Sequence, residues 1–118
     1  MSYQEFQRAT LFFDSKDYSG AAEILAPIVE ADPANRAVVE LLGRSYFHSA
    51  RLAPAELTFR RLIELDPGNG WAYEVLGRTL ERQGRDDEGA RYRKLARAMG
   101  EPGSEGAVYA VRAANLVE

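Results

Sequence analysis

Apolar residues in this chain fall three and four positions apart. Leu25 and Ile28, Leu42 and Tyr46, and Phe59 and Leu62 each mark the stripe of a helix, with charged and polar residues between them. Two nearly identical strings break the stripes: EADPAN at 30–35 returns as ELDPGN at 64–69, 34 residues later. Proline disfavours α geometry in the residue before it. Pro33 and Pro67 therefore predict helix ends at about Asp32 and Asp66, after which Asn35 and Asn69 can cap the next helices. SYQE at 2–5 has the form of a capping box and predicts the start of the first helix. The same offset superposes Ala21 on Ala55, Leu42 on Leu76 and Gly43 on Gly77, so the chain reads as a repeated helical unit.

Ala9, Gly43 and Gly77 occupy one equivalent position and Ala21, Ala55 and Gly89 another, where a small side chain lets the two helices of a unit approach closely. The expected core is Phe12, Leu25, Ile28, Leu42, Tyr46, Phe59, Leu62 and Leu76. Full burial of each is worth roughly 1.5–3 kcal/mol before conformational entropy is set against it. In the second unit Val39, Leu42, Gly43, Tyr46, Ala55, Phe59 and Pro67 follow the spacing W-x2-L-G-x2-Y, A-x3-F, P, with Val39 in place of the leading aromatic. In these residues the chain resembles the tetratricopeptide repeat family, over about residues 2–102. The resemblance implies an all-α fold: a right-handed superhelical array of three antiparallel helix pairs with an additional C-terminal capping helix. It implies a single domain, 1–118, with repeats at about 2–35, 36–69 and 70–102 and the last helix at about 106–117.

The flanking units depart from the pattern. The first has Glu5 and Arg8 where the second has Val39 and Leu42, which suits a helix with no repeat before it. The third has Leu80 for the tyrosine, Arg93 for the phenylalanine and Glu101 before Pro102. A one-residue insertion in QGRDDEGA would instead align Ala90 with Ala55, so two registers stand for its second helix. Beyond a glycine-rich connection at 100–106, the segment 107–118 is apolar except for a stripe of Tyr109, Arg112, Asn115 and Glu118. It is expected to shield the last repeat; packing on a second chain, docking in the protein's own groove and a partly disordered tail are the alternatives.

Composition narrows the chemistry. A net charge of −3, from 15 basic and 18 acidic residues mixed along the chain, advertises neither nucleic acid nor a membrane surface as partner. The chain has no cysteine, which excludes disulfides, thiolate metal sites and cysteine nucleophiles, and suits a reducing compartment. With no signal-peptide core and no long apolar run, it is expected to be cytoplasmic. Only Lys16 and Lys94 among the basic residues are lysine, a bias that points to a GC-rich bacterial source. His48 is the single histidine, which leaves no His-based catalytic set beyond carboxylate partners. GRDDEG at 84–89 lacks the alternating ligands of a calcium loop, and no phosphate-cradling or nucleophile-elbow string occurs. No enzyme, cofactor or metal is expected.

What remains is a surface. In the tetratricopeptide family the first helix of each pair lines a concave groove that commonly receives a segment of a partner protein. Carried over by register, the lining is Tyr3, Phe6, Thr10 and Phe13, then Ala37, Glu40, Arg44, Phe47 and His48, then Trp71, Glu74, Arg78 and Arg82. Aromatic and arginine side chains dominate binding hot spots. Phe6, Phe13, Phe47 and Trp71 are the expected anchors, with Arg44 and Arg78 as grips for carboxylates. Against this, Phe6 and Trp71 could serve the core, and the pairs Glu40 with Arg44 and Glu74 with Arg78 have the spacing of ordinary surface ion pairs. The lysine and asparagine clamp that part of the family uses for chaperone tails is missing: Phe6, Thr10, Leu41, Trp71 and Val75 stand in its positions. The expected function is a non-enzymatic adaptor for a protein or peptide segment with apolar anchors and acidic groups. The alternative is a self-associating protein that uses the apolar C-terminal helix or the groove to form a homodimer.

Overall fold

The computed structural model describes residues 3–100. They form six helices: α1 (Tyr3–Asp14), α2 (Tyr18–Ala31), α3 (Arg36–His48), α4 (Leu52–Leu65), α5 (Gly70–Arg82) and α6 (Asp86–Ala98). There is no strand among the described residues, so the fold is all-α. Helices α1–α4 form one compact unit and α5 with α6 another. Ser2 of the expected capping box and the expected helix at 106–117 lie outside the described residues.

The ends of the helices follow from local chemistry. Asn35 and Asn69 sit in extended backbone, and their side-chain oxygens accept from the N–H of Val38 and Ala72, each at 3.3 Å. This satisfies one of the donors that a helix start leaves orphaned. Asp17 does the same for α2, accepting from Gly20 N–H at 2.9 Å. Before Pro33 and Pro67, the C-caps Asp32 and Asp66 donate their N–H groups to the carbonyls of Ile28 and Leu62.

Between the two helices of each pair the backbone turns the same way three times. Lys16, Ala50 and Gly84 have φ of 69°, 63° and 80°, the left-handed region. The next residue then closes the helix end: Asp17, Arg51 and Arg85 donate to the carbonyls of Phe12, Tyr46 and Leu80 at 2.8, 2.8 and 2.9 Å. These are left-handed C-caps, a role glycine fills at least cost. Only the third turn has a glycine there.

In the first unit α1 packs on α2, α2 on α3 and α3 on α4, and α1 also touches α3. Its core gathers Ala9, Ala21, Ala22, Leu25, Ile28, Val38, Leu41 and Leu42, with Phe6, Phe12, Phe13 and Tyr46 half-buried against it. Gly43 lies under Phe59: a Cβ at Gly43 would stand 2.5 Å from the Phe59 ring, so glycine makes room for the aromatic.

In the second unit Gly77 holds the corresponding place on α5. A Cβ there would stand 2.8 Å from the carbonyl oxygen of Gly89 and would collide with the Cγ of Arg93. Gly89 is buried and Ala90 exposed. Gly89 therefore takes the position of Ala55, and Arg93 that of Phe59, with no residue inserted between α5 and this part of α6.

Candidate functional site

The residues expected to line a groove divide between the two units. Four on α1 share a stripe. Tyr3, Phe6 and Thr10, with Gln7 and Leu11, border an open depression of about 490 Å³. Tyr3 is 69% exposed, whereas Phe6 is half-buried and rests on the core, so it is committed to packing along part of its ring. The Thr10 hydroxyl donates back to the Phe6 carbonyl at 2.9 Å.

One turn further along α1, Phe13 joins an aromatic cluster. Its ring meets Tyr18, the first residue of α2, edge-on at 5.0 Å, and His48 of α3 at 5.7 Å. Tyr18 and His48 stack at 4.8 Å with their planes 28° apart, and Phe47 meets His48 edge-on at 5.6 Å. The Arg44 guanidinium lies over the Phe13 ring, 4.8 Å from its centre. Three helices of one unit thus supply four rings and a cation, in edge and stacked arrangements that favour aromatic pairs. The structure brings Phe13, Arg44, Phe47 and His48 together. Ala37 is exposed at the start of α3. Tyr18 was not anticipated, because register directs attention to the first helix of each pair and Tyr18 opens the second.

Four further candidates stand on α5. Trp71 is half-buried, and Arg78 and Arg82 are exposed. Glu74 departs from the expectation of a groove-lining residue in a surface ion pair: it is buried, with 3% of its surface exposed. Its Oε2 accepts from Arg78 Nε at 2.5 Å, and Arg93 Nε approaches the same oxygen at 3.4 Å. Arg93 Nη1 donates to both carboxylate oxygens of Glu81 at 3.1 and 3.3 Å. The physical reason is the substitution at the phenylalanine position. The methylene stem of Arg93 fills the space over Gly77, and its charged head then requires acids from α5. Burial works against the charge on Arg93, but Glu74 and Glu81 outweigh it and hold the guanidinium above the ordinary arginine range. Glu74 Oε1 and Arg93 Nε have no hydrogen-bond partner.

Glu40 and Arg44 have the same spacing on α3 but a different state. Their nearest approach is 3.8 Å, beyond hydrogen-bond length, and both side chains are about two-fifths exposed. Among the described residues no group of three or more histidines and carboxylates could hold a metal ion, and no helix is long and apolar enough to cross a membrane.

Comparison with known proteins agrees with this architecture. A family model described as tetratricopeptide repeat matches residues 6–70. The chain belongs to the tetratricopeptide repeat family, whose fold is one of protein interaction. Among solved structures, MamA of AMB-1 is 25% identical, with a TM-score of 0.75 over 81% of this chain and 59% of that one. MamA 41-end from Desulfovibrio magneticus RS-1 is 21% identical, with a TM-score of 0.74 over 87% of this chain and 57% of that one. The type III secretion chaperone SycD of Yersinia enterocolitica, in complex with a peptide of the translocator YopD, is 16% identical. Its TM-score is 0.76 over 81% of this chain and 73% of that one. The chain spans less than two thirds of the length of both MamA chains. No curated protein matches the sequence.

Proposed function

We propose that this protein is a non-enzymatic adaptor of the cytoplasm that holds a segment of a partner protein against the α1 and α3 face of its first unit. The observation that carries this reading is the cluster of Phe13, Tyr18, Phe47 and His48 with Arg44. Rings of this kind present large rigid area at small entropic cost, and arginine beside them adds orientation. SycD, which shares the fold, binds a peptide of a translocator protein, and that precedent supports a peptide as the kind of ligand.

Selection from a random-peptide display library tests the proposal. Wild-type protein is expected to enrich peptides with large apolar residues. Phe13→Ala combined with Phe47→Ala is expected to lose at least tenfold in affinity for them while keeping its helical circular dichroism. Failure to enrich any peptide, or full affinity in the folded double variant, ends the reading. Trp71 on α5 is proposed as an anchor within the second unit, and comparing the peptides selected on wild type with those selected on Trp71→Ala reads its share.

Tyr3, Leu11 and Leu57 are 69%, 68% and 71% exposed, and such open apolar side chains favour a second reading, self-association. Light scattering over a concentration series decides it: a constant mass of 13.1 kDa removes the homodimer.

A further inference from the structure

Arg44 and Arg78 occupy the same position 34 residues apart, each four residues after a glutamate, yet the structure makes them unlike. Arg78 is engaged by a buried carboxylate that also faces Arg93. Arg44 lies over Phe13 and reaches Glu40 only at 3.8 Å, with 40% of its side chain and 41% of that of Glu40 exposed. A guanidinium over a ring keeps its five N–H donors in its own plane, where a carboxylate can meet two of them at once. Glu40 at that distance compensates the charge without occupying the donors.

We propose that Arg44 is the carboxylate grip of the peptide surface and that Glu40 is its internal competitor, displaced when an acidic residue of the partner binds. This rests on the adaptor reading above. The ligand is a partner segment with an aspartate or glutamate set beside a large apolar residue: the acid meets Arg44, and the apolar side chain meets Phe47 and His48. Charge complementarity selects it, since Arg44 is held by the ring beneath it, is two-fifths exposed and meets Glu40 only beyond hydrogen-bond length. Glu40 also acts on specificity. A segment without an acid leaves Glu40 in place and gains nothing from Arg44, whereas a segment with a second acid beside the first meets repulsion from Glu40.

The test uses peptides selected on the full chain from the display library, each resynthesised with its acid changed to the amide (Asp to Asn, Glu to Gln). The readout is the affinity ratio of each acid peptide to its amide twin. Wild type is expected to favour the acid by roughly tenfold, the scale of one hydrogen-bonded charge in a partly shielded site. Arg44→Gln, which keeps a polar stem over Phe13, is expected to bring the ratio to about one. Glu40→Gln is expected to raise it about threefold, and Arg78→Gln to leave it unchanged. A wild-type ratio near one, a ratio that survives Arg44→Gln, or one lowered by Glu40→Gln overturns the proposal and leaves the adaptor reading standing. Failure to select any peptide overturns both.

Discussion

The pairs α3–α4 and α5–α6 use the same backbone plan and opposite chemistry at its centre. In each, a glycine on the first helix opens a gap for a long side chain from the second. In α3–α4 that side chain is Phe59, 1% exposed, which needs nothing but apolar neighbours. In α5–α6 it is Arg93, whose stem serves the same space but whose head draws Glu74 inside and Glu81 alongside. A buried carboxylate on α5 is therefore a consequence of one residue on α6. The two pairs show that the plan specifies a volume over the glycine, while the chemistry that fills it is free to change if the partners change with it.

The largest expected effect breaks the aromatic version. Phe59→Ala should destabilise the first unit by about 3–5 kcal/mol, the range for a fully buried ring, with the unfolding midpoint in urea falling accordingly. The ionic version should break by a different route. Arg93→Phe alone leaves the Glu74 carboxylate in the interior without its partner from α6, and should cost about 2–3 kcal/mol in the same titration, somewhat under the usual range because Arg78 remains. Adding Glu74→Leu should return the variant to wild-type stability or above it, since buried ion pairs are often matched by apolar replacements. A double variant less stable than Arg93→Phe would mean that the network is not replaceable by packing.

The Arg93 charge itself adds no pH dependence near neutrality. Its folded value is raised, so its contribution is fully present below the ordinary arginine range and is lost only as pH rises through the raised value.

Smaller effects sharpen the comparison by testing what the pairs share. Asn35→Ala and Asn69→Ala remove equivalent caps and should each cost about 1 kcal/mol, with similar values for the two units. The turns should differ instead. Ala50→Gly relieves a left-handed residue that carries a Cβ and should stabilise by about 0.5–1 kcal/mol, whereas Gly84→Ala should destabilise by about as much. Thermal unfolding by circular dichroism reads all four.

Legibility in the sequence followed the same division. The helix ends at Asp32 and Asp66 and the caps at Asn35 and Asn69 could be read directly, because proline and asparagine act on backbone geometry within a residue or two. The burial of Glu74 could not. Its spacing from Arg78 is that of a surface pair, and the residue that changes its meaning, Arg93, is on another helix. The two registers open for α6 hid that link, since the ionic contact requires Arg93 to stand where Phe59 does. Tyr18 was hidden for a related reason: ring contacts across three helices leave no periodic trace. Nor do Lys16, Ala50 and Gly84 share any side-chain property, although they share one backbone state.

That shared turn also bears on how quickly the chain can find its structure. Each pair is closed by a connection of three residues, so the two helices that must meet are already neighbours along the chain. The ends to be joined are close, and the entropy of joining them is small. Folds dominated by such local contacts fall in the microsecond to millisecond class. A stopped-flow or temperature-jump record is the natural place to see it. Ala50→Gly removes the Cβ from the left-handed residue of the α3–α4 turn, and the same record reads how much of its stabilisation falls on the folding rate.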